Sequence, residues 1–271
     1  MNKIIRIAWW GLHFGEEPSL VGNKGAGTIF FTGCNLCCVY CQNYQISQQG
    51  IGKNYSLEDL VKIILSLQEQ GALNIDLVTP TIWFELIKEA IIESKKRGLN
   101  IPIVWNSNAY EDVEMLKKLE GLVDIYLPDF KYSDNELGFK YSGVKNYAEK
   151  ATKAIKEMLR QVGNLKLSKK GIAQKGVLVR HLILPNNIEN SIKVLNFLKE
   201  IDKDLYINLM TQYEPIDKAQ DFPEINRTIT KKEFETVFDH LIKLGFLNGW
   251  TQEMGSNDSF LPDFTKETPF S

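Results

Sequence analysis

Thr28-Ile-Phe-Phe-Thr-Gly33, followed at once by Cys34-Asn-Leu-Cys37-Cys38-Val-Tyr-Cys41, is the stretch on which the fold turns. Its first six residues read as a short buried β-strand, rich in β-branched and aromatic residues and closed by glycine. Its last eight hold all four cysteines of the chain. Cysteines kept only for packing would scatter, so their position alone marks a metal or redox loop at the end of a strand.

Working outward, strands alternate with helical patterns. Residues 57–70 carry Leu57, Leu60, Val61 and Ile64 on one helical stripe. Ser56 caps that helix and Gly71 ends it. A second strand at 74–79 (NIDLVT) leads into a helix at 82–97, closed by Gly98. A third at 102–106 precedes a short helix near 110–119, and a fourth at 123–128 precedes a helix near 144–162 with Ala151, Ile155, Met158 and Leu159. After a lysine-rich spacer, 163–176, come a strand at 177–184, a helix at 188–200 and a strand at 205–210. A last helix, 231–244, opens with Thr230 and Glu233 at capping-box spacing.

Six βα units in succession predict a parallel sheet with right-handed crossovers. Eight units need more chain than 271 residues easily supply. The expected fold is therefore α/β, a partial (β/α)6 TIM-type barrel, with its active site at the C-terminal ends of the strands. No linker, repeat or low-complexity tract divides the chain. It is expected to be one domain over 1–271, with a lead at 1–26, a core at 27–215 and a C-terminal helix and tail at 216–271. The spacer 163–176 and the aromatic tail 260–270 read as solvated loops.

Composition is that of a globular protein, 44% hydrophobic and 24% charged. The 32 basic and 34 acidic residues leave a net charge of −2. Such a chain has no strong field to attract nucleic acid or an anionic membrane, and neither is an expected partner. No apolar run approaches the ~20 residues of a membrane-spanning helix. The opening residues resemble a signal peptide only briefly. Arg6 interrupts the apolar run, and Gly11 to Pro18 turn polar. Reduced thiols in a cytoplasmic protein are expected.

The cysteine loop does not suit the commoner cysteine chemistries. Structural zinc usually takes two separated ligand pairs, and no second pair exists here. Disulfides between residues this close are strained. Ferredoxin-type clusters want four cysteines, commonly with the last one remote. Three thiolates around four irons instead leave one iron open to a cofactor or substrate. Spacing leaves two triplets open, Cys34/Cys38/Cys41 and Cys34/Cys37/Cys41.

CxxxCxxC with an aromatic residue before the last cysteine, here Cys34, Cys38, Tyr40 and Cys41, resembles the signature of the radical S-adenosylmethionine (SAM) superfamily. The wider segment HFGEEPSLVGNKGAGTIFFTGCNLCCVYCQNYQIS is similar to uncharacterised relatives of pyruvate formate-lyase activating enzyme, and the likeness runs from about residue 13 to 215. The resemblance selects Cys34, Cys38 and Cys41 as ligands of a [4Fe–4S] cluster and leaves Cys37 as an extra thiol. It implies that SAM chelates the open iron and is cleaved reductively to a 5′-deoxyadenosyl radical, which abstracts hydrogen from substrate.

The resemblance also implies SAM contacts at strand ends. Thr79 and Thr81 stand where the superfamily has a Gly-Gly-Glu-like stretch, a departure from the pattern. Asn106 and Asn108 resemble an Asp-Thr-Asn stretch near ribose and methionine. Asp129 and Lys131 resemble an Asp-x-Lys stretch whose lysine meets the methionine carboxylate. Arg180 aligns with an arginine directed to the cofactor, and an arginine in a barrel strand needs an acidic partner. Its neighbour His181 reads as a satisfied histidine facing a helix. Where activating enzymes carry a cofactor-contacting histidine, this chain offers Gln212 and Tyr213. Gln42 and Asn43 are placed to donate to cluster sulfurs.

The implied activity is that of a radical SAM oxidoreductase of activating-enzyme type. Its implied partners are a flavodoxin- or ferredoxin-type electron donor and a protein or peptide substrate. The rival is an iron–sulfur electron-transfer or scaffold protein without SAM turnover. Such a protein should offer a fourth thiolate and would not need six βα units.

Overall fold

The computed structural model describes residues 4–252, 255 and 261–270. All six expected strands form. They are β2 (Ala26–Phe31), β4 (Ile75–Val78), β5 (Ile103–Ser107), β6 (Ile125–Pro128), β8 (Ala173–Leu182) and β9 (Tyr206–Met210), paired in parallel in that order. A strand unforeseen in the sequence, β10 (Gly249–Thr251), adds in parallel to β9. At the other edge β1 (Ile4–His13) pairs antiparallel with β2 and with β3 (Lys53–Ser56), while β7 (Lys166–Leu167) pairs with β8. The edge strands β3 and β10 do not pair with each other, so the sheet stays an open barrel.

The helices that cover the outer face also match. They are α3 (Leu57–Glu69), α4 (Phe84–Lys96), α5 (Val113–Lys117), α7 (Tyr147–Val162), α8 (Ile188–Ile201) and α9 (Lys231–Lys243). The short α1 (Pro18–Val21), α2 (Tyr44–Ser47) and α6 (Asn135–Ser142) were not legible in the pattern. Capping boxes close both α3, through Ser56 and Asp59, and α9, through Thr230 and Glu233. Each satisfies two backbone or side-chain donors that a helix start leaves orphaned.

The two-residue period of the strands separates two interiors. Trp105, Tyr126, Val177, Val179, Ile207 and Leu209 face outward into the core shared with the helices. Their strand neighbours face the barrel axis in layers. Leu20, Val104, Ile125, Leu127 and Leu178 form an apolar floor, joined by Leu165 and Ala173. Above it, by the same alternation, stand Thr28, Asp76, Asn106, Arg180 and Asn208. The cysteine loop follows the C-terminal end of β2 at the rim.

Two stretches read as solvated loop pack instead. The spacer 163–176 folds back as the β7–β8 hairpin and sends Leu165 and Ala173 into the floor. In the tail, Phe264 is buried against Phe30, and Phe270 stacks near Trp9, His13 and Phe30. The lead 1–26 contributes β1, whose Ile5 and Ile7 are fully buried. Isolated runs this short carry no period that distinguishes them from loop. Their structure comes from the edge they join.

Candidate active site

The cysteine loop is pinned from one side by α6. Cys37 and Val39 donate backbone N–H bonds to the Ser142 and Tyr141 carbonyls. Cys38 is buried and Cys37 exposed. Cys38, Cys34 and Cys41 each lie near enough to another of the three to raise its pKa, so the three thiols are neighbours. Burial is the larger cause, and it pushes the Cys34 and Cys38 thiols up to about 11. Bare thiolates are thus disfavoured, and a metal cluster would supply the compensating charge.

Donors already stand around these sulfurs. The Leu36 N–H (3.3 Å) and the Asn108 amide (3.4 Å) donate to Cys34 Sγ. The Ser142 hydroxyl lies 2.9 Å from Cys38 Sγ, and the Ser47 hydroxyl 3.3 Å from Cys41 Sγ. Behind Ser142 a buried chain continues through Tyr132 (2.6 Å) to Tyr40 (2.6 Å). Among the described residues, no three His, Cys, Asp or Glu groups converge tightly enough for one metal ion. A four-iron cluster binds each thiolate to a different iron, so three neighbouring thiols with Cys37 turned away fit a cluster that keeps one iron open.

Tyr40, Asn106, Asp129, Lys131 and Arg180 line one cavity of about 450 Å³ together with Cys38 and Cys41. Their charges interlock. Arg180 donates from Nε to Asp129 (2.8 Å), from Nη1 to Glu16 (3.1 Å) and from Nη2 to Asn106. Lys131 Nζ donates to the other Asp129 oxygen at 2.6 Å. Burial works against the Asp129 charge, but Arg180 and Lys131 overcome it and hold the carboxyl below its usual range. Burial also opposes the Lys131 charge, which Asp129 and Cys38 restore and raise. A permanently charged lysine one loop away from the cysteines suits a carboxylate ligand. The polar, two-signed wall therefore fits a zwitterionic amino-acid group such as SAM carries.

Three residues expected at the cofactor, Thr79, Thr81 and Asn108, stand outside this cavity wall. Thr79 sits at a left-handed φ of 60°, its N–H bonded to the Asn106 carbonyl. The Thr81 hydroxyl is drawn to the buried Glu111 carboxylate at 3.0 Å, because that carboxylate needs donors; Trp105 and Ser107 supply two more. Asn108 serves the cysteine loop, through Cys34 and Asn35. Gln212 reaches the cavity and Tyr213 does not, since its hydroxyl is spent on the Ile225 carbonyl. Gln42 bonds to Gln212 and to no sulfur, whereas the Asn43 backbone does meet Cys41.

Other cavity residues escaped the sequence reading. Glu16 and Glu17 enter from the loop between β1 and α1, and Asn208 from β9. Asn208 in LYINLM was findable, as was the buried Asp76 in NIDLVT, since a polar residue in a buried parallel strand is costly without a partner. A larger hollow, about 750 Å³, lies on the outer surface by α3 and α4. Its charges satisfy one another through Arg97, Glu58 and Glu93, so it presents no convergent chemistry.

Residues 28–198 match the family model described as the Radical SAM superfamily. The chain belongs to the radical SAM superfamily. Membership implies a [4Fe–4S] cluster and SAM. The uncharacterized protein MJ0674 of Methanocaldococcus jannaschii is 36% identical over 238 residues, covering 84% of this chain and 64% of that one. The pyruvate formate-lyase-activating enzyme of Clostridium pasteurianum is 27% identical over 203 residues, covering 70% and 76%. Among solved structures, Streptococcus suis SuiB bound to precursor peptide SuiA superposes with a TM-score of 0.56 at 15% identity, covering 87% of this chain and 51% of that one. A spore photoproduct lyase reaches 0.54 at 13% identity, covering 82% and 74%. These structural likenesses show the radical SAM fold, a partial TIM barrel. The chain spans about two thirds of the length of MJ0674 and about half that of SuiB.

Proposed function

We propose that this chain is a radical SAM oxidoreductase of activating-enzyme type, in which Cys34, Cys38 and Cys41 hold the [4Fe–4S] cluster. The observation that carries the reading is the convergence of these three thiols beside a charged cavity, with Cys37 turned outward. Cluster and SAM, once held by these residues, would supply reductive radical chemistry for hydrogen abstraction from a substrate.

The chain's own residues orient and shield. Lys131 offers a positive charge to the SAM carboxylate, and Asp129 and Arg180 hold it in place. Asn106 presents an amide to a hydroxyl or amino group. Asn108, Ser142 and Ser47 place donors against the sulfurs, which stabilises the more negative, reduced state of a cluster. Phe270 and Pro262 at the cavity edge limit access of water. A flavodoxin- or ferredoxin-type donor would deliver the electron. A protein or peptide substrate is supported by the activating-enzyme relative and by the peptide carried by SuiB.

Anaerobic reconstitution with iron and sulfide, followed by dithionite and SAM, is expected to release 5′-deoxyadenosine. A well-loaded cluster that yields no nucleoside would return the chain to the electron-transfer or scaffold reading.

A further inference from the structure

The barrel's middle layer carries more negative charge than its own residues neutralise. Four carboxylates, Glu16, Glu17, Asp76 and Asp129, face two cations, Arg180 and Lys131. The cations pair directly with Asp129 and Glu16, and Arg180 attracts Glu17 and Asp76 without bonding to either. Glu17, only 4% exposed, has one oxygen bonded to the Asn208 amide at 2.7 Å, and its Oε2 has no partner. Asn208, 5% exposed, leaves its own carbonyl oxygen unpartnered. Asp76 takes one long bond from Asn106 (3.4 Å) and leaves Oδ1 unpartnered. Thr28, its parallel-sheet neighbour, leaves its hydroxyl oxygen unpartnered too.

Apart from that hydroxyl, these orphans are all acceptors whenever the two carboxyls are ionised. Buried acceptors without donors are costly, and buried carboxylates without a cation more so. A binding site retains such a cost when the ligand supplies the missing donors. The missing partner is therefore both cationic and rich in N–H. Glu17 and Asn208 both line the cavity and are bonded to each other.

We propose that Glu17 and Asn208, in the cavity wall, bind a positively charged N–H donor of the substrate, an alkylammonium or guanidinium group. The proposal deepens the reading above and rests on it for one point: SAM occupies the cysteine side of the same cavity, at Lys131 and Asn106. It names the substrate class as one that carries an amine or guanidine, such as a lysyl, arginyl or polyamine chain. The paired acceptors of Glu17 and Asn208 match the divergent N–H groups of such a head.

The test is calorimetric titration of the anaerobically reconstituted protein, with and without SAM, using n-butylammonium chloride, 1-butanol and potassium chloride as probes. Butylammonium is expected to bind about tenfold or more tightly than either of the other two, and to bind with SAM present. Glu17→Gln should weaken it about tenfold while raising the melting temperature of the unliganded protein, because a surplus buried charge has been removed. Asn208→Ala, which removes the second acceptor, should also weaken butylammonium and gives a second reading should Glu17→Gln not fold. Glu58→Gln, on the outer surface, should leave the butylammonium affinity unchanged.

Equal binding of butanol, or an unaltered butylammonium affinity in both variants, would overturn the proposal. Potassium binding as well as butylammonium would make this an inorganic cation site, and SAM displacing butylammonium one for one would assign the carboxylates to the cofactor. Either also overturns it. Failure of the functional reading has a separate signature, absence of 5′-deoxyadenosine, and the amine titration reads out whether or not that product forms.

Discussion

At the scale of single residues, the site divides neighbours by the way they face. Cys37 and Cys38 are adjacent, yet one is exposed and the other buried beside Ser142. Cys37→Ala should leave iron content after reconstitution near that of the parent, whereas Cys38→Ala should cut it severely. The reverse result would select the other triplet. Arg180 and His181 part in the same manner. Arg180 enters the cavity, while His181 lies between the Phe130 carbonyl (2.7 Å) and the Ser191 hydroxyl (2.9 Å) on α8. Burial, against smaller help from the Phe130 carbonyl, lowers its pKa to about 4. Because the folded pKa lies below the unfolded value of 6.5, the unfolded chain takes the proton first on acidification. The stability tied to neutral His181 is thus present above pH 6.5 and lost as pH falls toward 4, on the order of 3 kcal/mol in all. Denaturant titrations at several pH values should show that loss, and His181→Gln should remove most of it.

At the scale of elements, caps and one tight crossing carry the strongest expectations. Ser56 accepts from the Asp59 N–H at the start of α3, and Asp59 answers to the Ser56 N–H. Ser56→Ala should cost about 1 kcal/mol in chemical denaturation. Gly176 in β8 has a φ of +125°, and an added Cβ would come within 2.5 Å of the Asn164 carbonyl oxygen and the Leu165 Cα. Both obstacles are backbone, so no rotamer change relieves them. Gly176→Ala should destabilise by more than about 2 kcal/mol, because the β7–β8 hairpin must shift away from the barrel floor.

At the scale of the molecule, an open barrel with a charged middle layer gives opposing pH dependences. Burial raises the carboxyl pKa values of Glu16, Glu17 and Asp76, with the repulsion of neighbouring carboxylates adding to it. A carboxyl raised in the folded state contributes stability that is complete below its unfolded pKa. That stability is lost as pH rises through the folded value. The melting temperature of Asp76→Asn should therefore exceed that of the parent by a margin that widens as pH is raised from about 4. A margin that shrinks with rising pH would show that Asp76 is matched by a cation in the free protein.

The alternation of strand and helix, the caps, and the clustering of four cysteines after β2 were all legible along the chain, because period, propensity and spacing are local properties. Those features determined the parallel barrel and the kind of cofactor chemistry. Arg180, Asp129 and Lys131 could be singled out because a charge in or beside a buried strand demands a partner. Tertiary structure alone decided which partner each charge met. It turned Thr81 toward Glu111 and Asn108 toward the cysteine loop, and across more than 160 positions of chain it brought Glu16 to Arg180 and Glu17 to Asn208. It also made strands and packed aromatics of the lead, the spacer and the tail. Short segments gain their structure from the edge or cavity they close, and that closure is a property of distant residues meeting in space.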